Sequence, residues 1–251
     1  MKNLLEIPPL KSSTDTQQFG NLVGSSQSFV INQCAQANPQ KSPLVVIVND
    51  TPSAIKLHQE LLYFAENKYE VNLFPDWETL PYDHFSPHQD IISTRIETLY
   101  QLPSMKDGIL IVPITTLLLR LAPPSYLKQH TLVVKTSQKL ELQLLREQLQ
   151  EAGYYAVDQV REHGEFCARG SLLDVYPMAS DTPYRIDFFD DEVDSIRPFD
   201  TETQRSLPTI KQIKLLPAHE FATDKEAISQ FKSAYSDKFP AKICTSADSI
   251  Y

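Results

Sequence analysis

The 251-residue sequence lacks the features that mark several specialised classes of protein. Its cysteines, Cys34, Cys167 and Cys244, are odd in number and far apart, so they form neither a C-x-x-C metal pair nor a disulfide framework. The sequence has no apolar run long enough to span a bilayer and no signal-peptide pattern at its start. We therefore expect a cytoplasmic protein with inert thiols, no metal site and no membrane contact.

Basic residues are also in short supply. The chain has 23 lysines and arginines against 32 aspartates and glutamates, which gives a formal net charge of -9. A surface with this charge repels phosphate, so we expect weak or no DNA binding by the chain. A basic protein surface would be attracted instead.

The first part of the chain alternates predicted strands and helices. Residues 44–48, LVVIV, form a continuous apolar run typical of a strand buried on both faces. Thr51 and Pro52 then give the N-cap and first position of a helix. Further strands are predicted at 71–74, 108–112 and 131–134, with helices between them around 91–102 and 115–121. This alternation predicts an α/β fold with a parallel sheet.

Beyond residue 130 the pattern changes to one helix and several short strands separated by turn residues, which is typical of a small antiparallel α+β domain. From Pro217 the chain becomes helical again, near residues 225–235. The predicted organisation is therefore a first domain over 1–130, a small domain over 131–216, and a third segment over 217–251.

NLVGSSQS, residues 21–28, has the outline of a phosphate-binding loop that leads into a helix. In the pattern G-x-x-x-x-G-K-[ST], the glycines let backbone N–H groups wrap phosphate and the lysine neutralises it. Asn21 and Ser26 stand at the glycine positions, Gln27 at the lysine position, and only Ser28 fits, with Gly24 between them. Spacing alone favours a polar turn before a helix over a nucleotide site.

Other candidate chemistry is weaker. His84 and His88 are four residues apart, but Pro87 lies between them and the glutamate of H-E-x-x-H is missing. There is no G-x-S-x-G, and no cysteine has a catalytic signature. We predict no catalytic residue and no cofactor.

The stretch YRIDFF, residues 184–189, is more informative. Side chains alternate along a strand, so Arg185, Asp187 and Phe189 share one face while the residues between them share the other. An arginine beside an exposed aromatic is typical of interface hot spots. The alternative is that Phe189 folds inward and Arg185 pairs with Asp187 or another neighbour. Arg169 joins this face if its own strand is adjacent.

Three longer stretches together resemble a known family: FPDWETLPYDHFSPHQDIISTRIETL, EHGEFCARGSLLDVYPM and PYRIDFFDDEVDSIRPFDTETQRS. They resemble the amino-terminal region of the bacterial transcription-repair coupling factors (Mfd), which is similar to the excision repair protein UvrB. The resemblance implies a helicase-like α/β domain with a degenerate P-loop, followed by a small domain that docks UvrA. It carries the family's UvrA contacts over to Arg169, Arg185 and Phe189. It also implies that residues 217–251 begin a segment that returns to complete the first domain.

Two departures from UvrB bear on activity. NLVGSSQS stands at the UvrB P-loop, and PYDHFSPHQD lacks the long insertion that forms the UvrB DNA-clamping hairpin. The resemblance thus implies an adaptor that recruits UvrA without ATPase activity, while RNA polymerase binding and DNA translocation belong to absent parts of a longer protein. The alternatives are a UvrB-related nucleic-acid-binding ATPase and a structural domain that holds a neighbouring motor in an inhibited state.

Overall fold

The computed structural model describes residues 16–38, 42–80, 83–222 and 225–238. By its contacts the chain divides into two units, Met1–Lys128 with Met178–Ser180, and Gln129–Pro177 with Asp181–Tyr251. The content is mixed α/β with parallel and antiparallel sheets, which confirms the predicted fold class at that level. The predicted divisions at 130 and 216, and the return of the last segment to the first domain, stay predictions. None of the helices in the described ranges is long and apolar enough to cross a membrane.

The first unit holds a three-stranded parallel sheet in the order β1-β3-β2. Its elements are α1 (Ser26–Ala37), β1 (Leu44–Val48), α2 (Thr51–Ala65), β2 (Val71–Leu73), α3 (Gln89–Gln101), a 3-10 turn (Leu102–Ser104), β3 (Ile109–Pro113), α4 (Ile114–Leu117) and α5 (Pro124–Gln129), the last ending at the unit boundary.

Helix α2 packs its apolar face on the sheet. Its buried residues recur at helical spacing and join Ile109 and Ile111 of β3 in one hydrophobic cluster. The cap is one residue earlier than predicted: Thr51 begins the helix, and the side chain of Asp50 accepts a hydrogen bond of 2.8 Å from the Ser53 backbone N–H.

The prediction that the strand at 44–48 is buried on both faces is wrong. Val45 is 50% exposed and Ile47 is 56% exposed, whereas the central strand β3 is buried along its whole length. The reason is position in the sheet: β1 is at the edge, and its apolar run covers the core on one side only.

The second unit holds an antiparallel strand pair and a sheet of five strands in the order β5-β6-β7-β8-β9. Its elements are β4 (Leu132–Lys135), α6 (Leu142–Glu151), β5 (Tyr155–Ala156), β6 (Glu165–Arg169), β7 (Leu172–Val175), β8 (Tyr184–Phe189), β9 (Glu192–Pro198), β10 (Gln212–Leu215) and α7 (Lys225–Lys238). All neighbours in the larger sheet are antiparallel except β5 and β6.

The strand predicted at 131–134 is not a fourth member of the parallel sheet. As β4 it pairs antiparallel with β10, with Leu132 opposite Leu215. An isolated apolar run does not specify its partner, and here the partner comes from about eighty residues later in the chain.

Candidate functional site

Strand β8 carries two of the candidate contact residues, and its alternation is as predicted. Ile186 and Phe188 are buried in the core, while Phe189 is 74% exposed. The pairing of β8 with β9 shifts by one residue between Asp187 and Phe188, where β9 contains an extra residue. The aromatic side chain of Phe189 thus stands outside the sheet at the end of the strand.

The backbone next to Phe189 is held on both sides. The β8–β9 turn places Asp190 at a φ of 53°, and the segment before α6 bonds to the outer edge of the hairpin. Leu140 N–H donates to the Asp191 carbonyl at 2.7 Å, and Ser137 N–H donates to the Val193 carbonyl at 2.8 Å. An exposed aromatic on a fixed backbone loses little conformational freedom when a partner covers it.

Register across β6, β7, β8 and β9 gathers charged residues on the same side of the sheet as Arg185. In one row, Asp174 of β7 lies opposite Arg185 of β8, which in turn lies opposite Arg197 of β9. In the next row, Leu172 of β7 lies between Arg169 of β6 and Asp187 of β8. Cross-strand partners in antiparallel sheets point to the same face. We call this surface the arginine face, which comprises Arg169, Asp174, Arg185, Asp187 and Arg197, with Phe189 at its edge.

Arg185 is bound within the chain. Its Nε donates to Asp174 Oδ1 at 2.7 Å and its Nη2 donates to Asp174 Oδ2 at 2.8 Å, a bidentate pair. Its guanidinium carbon lies 4.9 Å from the centre of the Phe199 ring. The hydrogen bond to Asp174 raises the pKa of Arg185 further above its ordinary value, so the group is charged at all ordinary pH. Only 20% of its side chain is exposed.

Arg169 is the more accessible of the two candidate arginines. Its side chain is 58% exposed, and its Nη2 lies 3.5 Å from Asp174 Oδ2. The same carboxylate therefore contacts both arginines. At the far side of the face, Arg197 Nη1 lies 3.5 Å from Asp187 Oδ2, to which the Ser195 hydroxyl also donates.

A cleft of about 590 Å³ opens on the arginine face. It is lined by Asp158, Gln159, Cys167, Arg169, Leu172, Asp174, Arg185 and Gln204. The lining holds two arginines and two aspartates, and Arg185 is already bound to Asp174. The exposed Arg169 is the group best suited to a partner's carboxylate, and Leu172 adds an apolar contact. Sequence reasoning did not single out Asp174; its signal was a charged residue within the apolar strand SLLDVYP.

Each of the two interpretations of YRIDFF, an interface strand or a strand with internally paired side chains, is correct for one residue. Phe189 points outward, as the interface interpretation requires. Arg185 pairs with a neighbour, as the alternative requires, but the neighbour is Asp174 of β7 and not Asp187. The assignment of Arg169, Arg185 and Phe189 as partner contacts stays a prediction.

The segment NLVGSSQS leads into α1, which begins at Ser26. Asn21 and Gly24 adopt φ values of 57° and 61°, in the left-handed region that glycine and asparagine tolerate best. The hydroxyl of Ser28 is fully buried and donates to the Glu60 carboxylate of α2. A P-loop follows a strand and leads into a helix. Residues 16–25 contain no strand, so the described residues show the loop and the helix of this motif but not the strand.

Of the two histidines His84 and His88, one takes part in a helix cap. His88 caps α3 by accepting a hydrogen bond of 3.2 Å from the Asp90 backbone N–H, and His84 is exposed. Across the described ranges, no group of three or more histidine, cysteine or acidic side chains is arranged to hold a metal ion.

Comparison with known proteins shows what the part of the chain that carries the arginine face is similar to. Residues 132–221 match the family described as UvrB interaction domain, a range that includes Arg169, Arg185 and Phe189. Transcription-repair-coupling factor of Escherichia coli K12 is 50% identical to the chain over 234 residues. The protein of the same name from Haemophilus influenzae is 47% identical over 225 residues, and that from Staphylococcus aureus MRSA252 is 31% identical over 217.

These matches cover unequal shares of the proteins compared. The Escherichia coli match takes in 93% of this chain but 20% of the relative, and the Haemophilus match takes in 90% and 19%. The chain thus spans about a fifth of the length of the curated relatives it matches. The resemblance to the transcription-repair coupling factors that the sequence motifs indicate is confirmed.

Proposed function

We propose that this chain is the UvrA-recruiting adaptor module of a transcription-repair coupling factor. In this role it links stalled RNA polymerase to nucleotide excision repair by presenting a docking face like that of UvrB. The observation that carries the proposal is Phe189, which is 74% exposed on a fixed hairpin at the edge of the arginine face, within the range that matches the UvrB interaction domain.

The docking geometry follows from the chemistry of this face. Phe189 would fill an apolar pocket of UvrA, since an exposed aromatic on a fixed backbone contributes most when it is fully covered. Arg169, and the part of the Arg185 side chain that is exposed, would meet UvrA carboxylates at the cleft. Because the whole chain carries a net charge of -9, attraction to acidic groups of UvrA would depend on these local arginines and not on the overall charge.

For the first unit we propose a helicase-like domain with a degenerate P-loop that does not hydrolyse ATP. Gln27 supplies no charge to offset phosphate, and the Ser28 hydroxyl, which stands at the metal-binding position of a P-loop, is engaged by Glu60. A phosphate brought to the start of α1 would also meet the Glu60 carboxylate. These features of the loop support a module that resembles UvrB in fold but does not bind or hydrolyse ATP.

RNA polymerase binding and ATP-driven DNA translocation, in this proposal, belong to the remaining four-fifths of the longer protein, which the curated relatives have and this chain does not span. The module would act in the cytoplasm, where transcription and excision repair meet in bacteria. It would bind DNA weakly or not at all by itself.

The test is a binding measurement with purified proteins. The 251-residue chain is immobilised and titrated with UvrA by biolayer interferometry, while a fluorescent ATP analogue and a labelled DNA duplex are titrated in parallel. We expect saturable binding of UvrA, and no saturable binding of the ATP analogue or of the DNA duplex. Binding of the ATP analogue and of DNA without UvrA binding would contradict the adaptor and favour the alternative, a UvrB-related nucleic-acid-binding ATPase.

A further inference from the structure

We infer that Asp174 is a positioning residue for docking: its buried carboxylate fixes the direction in which Arg185 and Arg169 are presented to a partner. The inference rests on the proposed function and names the residue that organises its site. Asp174 itself would not contact the partner, because it is only 4% exposed and offers almost no surface.

Both oxygens of Asp174 are engaged by arginine. Oδ1 accepts from Arg185 Nε at 2.7 Å, and Oδ2 accepts from Arg185 Nη2 at 2.8 Å while lying 3.5 Å from Arg169 Nη2. The fork of Arg185 is planar, so two bonds to one carboxylate fix the plane of the whole guanidinium. The remaining nitrogen, Nη1, is 3.5 Å from the Gln204 carbonyl at the cleft.

The neighbours of this pair keep the geometry rigid. Phe199, which is 1% exposed, lies under the guanidinium of Arg185. Asp174 is held in register between Cys167 of β6 and Arg185 of β8, in the middle of the sheet. A central strand position gives a carboxylate less freedom than a loop position does.

Two physical effects of Asp174 act on docking with opposite signs. Its negative charge offsets the arginines, so removing the charge alone should strengthen attraction to an acidic partner surface. Its hydrogen bonds also fix Arg185 against β7, whereas Asp187, the next carboxylate of the arginine face, lies 3.5 Å from Arg197. Without Asp174, Arg185 is free to turn toward Asp187, and a docking partner must then reorder it. We expect the loss of positioning to dominate, because the pair is bidentate and mostly shielded from water.

The decisive variant is Asp174→Asn, which keeps the shape of the side chain and removes its charge. We expect UvrA affinity to fall about tenfold, mainly through faster dissociation, as is usual for a disordered contact. The matched control is Glu165→Gln. Glu165 is a hydrogen-bonded carboxylate that accepts from the Arg161 and Glu162 backbone N–H groups at 2.7 and 2.9 Å. It lies at the end of β6 opposite to Arg169 and is not one of the residues of the arginine face. It should lower stability without changing UvrA affinity more than about twofold.

Two further readouts separate positioning from a general structural role. In a double-mutant cycle, Asp174→Asn should cost much less affinity in an Arg185→Ala background than in the wild type, whereas simple destabilisation would add. By NMR, the Arg185 Nε–H should exchange slowly in the wild type and quickly in Asp174→Asn, while the backbone amides of β6 to β9 stay protected.

Should Asp174→Asn fail to fold, Arg185→Lys tests the same point, since it keeps the charge but cannot form the fork. A similar tenfold loss is expected, and wild-type affinity in that variant would overturn the inference. Asp174→Asn binding UvrA as tightly as the wild type, or more tightly, would overturn it as well. If the wild-type chain itself does not bind UvrA, the proposed function fails and the positioning role fails with it.

Discussion

Two regions of the molecule, β8 with its arginine face and the start of α1 with its loop, use their polar and aromatic groups in opposite ways. At β8 the chain leaves Phe189 exposed at 74% and Arg169 at 58%. At the start of α1, the hydroxyl of Ser28 is fully buried and bound by Glu60 from α2. The first region thus leaves an aromatic and an arginine side chain exposed, and the second buries a hydroxyl that is hydrogen-bonded within the fold.

A protein-docking surface and a phosphate site need different side chains and different exposure. A site for a protein partner needs fixed side chains with unburied surface, and the hairpin at Asp190 and Asp191 supplies the fixed backbone for one. A site for phosphate needs unpaired donors and positive charge. The loop before α1 has no lysine, and the Ser28 hydroxyl in the first turn of α1 is bound to Glu60. Three substitutions test whether the two regions differ in this way.

The largest effect is expected from Phe189→Ala. Loss of an aromatic side chain that fills a pocket costs about 2 kcal/mol, which corresponds to about a 30-fold weaker UvrA affinity. The melting temperature should stay within about 1 °C, because surface substitutions seldom change stability much. Isothermal titration calorimetry measures the affinity and differential scanning calorimetry the stability.

Phe231→Ala is the matched control, since Phe231 is also exposed, at 64%, but lies on α7 outside the arginine face. It should bind UvrA like the wild type. Equal losses in the two variants would show that exposed aromatics act without regard to position, and the contrast would not hold.

A smaller effect is expected from Arg169→Ala. Removing one charge-assisted hydrogen bond at a partly exposed site costs about 1 kcal/mol, so the affinity should fall about fivefold at low salt. The loss should shrink as ionic strength rises, because exposed charges are screened. Surface plasmon resonance over a series of salt concentrations measures both.

Arg146→Ala removes an exposed arginine of α6 whose partner is Gln143, and it should leave the affinity and its salt dependence unchanged. A salt-independent loss in Arg169→Ala would instead indicate that Arg169 acts by packing. Arg185→Glu is a poor substitute for this test, because the new carboxylate would face buried Asp174 and destabilise the sheet.

The smallest effect is expected from Gln27→Lys, which restores the P-loop lysine. The variant should show no saturable binding of a fluorescent ATP analogue up to about 1 mM, the upper end of usual substrate constants. The reason is that Glu60 still occupies the Ser28 hydroxyl and repels phosphate. Submillimolar binding by this single variant would show that the lysine alone was missing, and adding Glu60→Gln then measures what the carboxylate contributes.

Sequence patterns identified many of the elements and the outward face of β8. Period-two alternation over 184–189 was sufficient because one face is buried, so Ile186 and Phe188 had to point inward. Sequence did not reveal the partner of Arg185, since Asp174 lies eleven residues earlier on another strand. It also misjudged the run at 44–48, because apolar residues do not show whether a strand is central or at an edge.

By itself the sequence determined the alternation of strands and helices, the absence of a P-loop lysine at Gln27 and the pairing of arginine with an aromatic on one strand. Local periodicity and side-chain chemistry encode these properties within a few residues. Three properties follow from the tertiary structure alone: Asp174 pairs with Arg185, Glu60 accepts a hydrogen bond from the Ser28 hydroxyl, and the Phe189 side chain remains exposed. Those outcomes depend on strand register and helix packing, which bring together residues far apart in the chain.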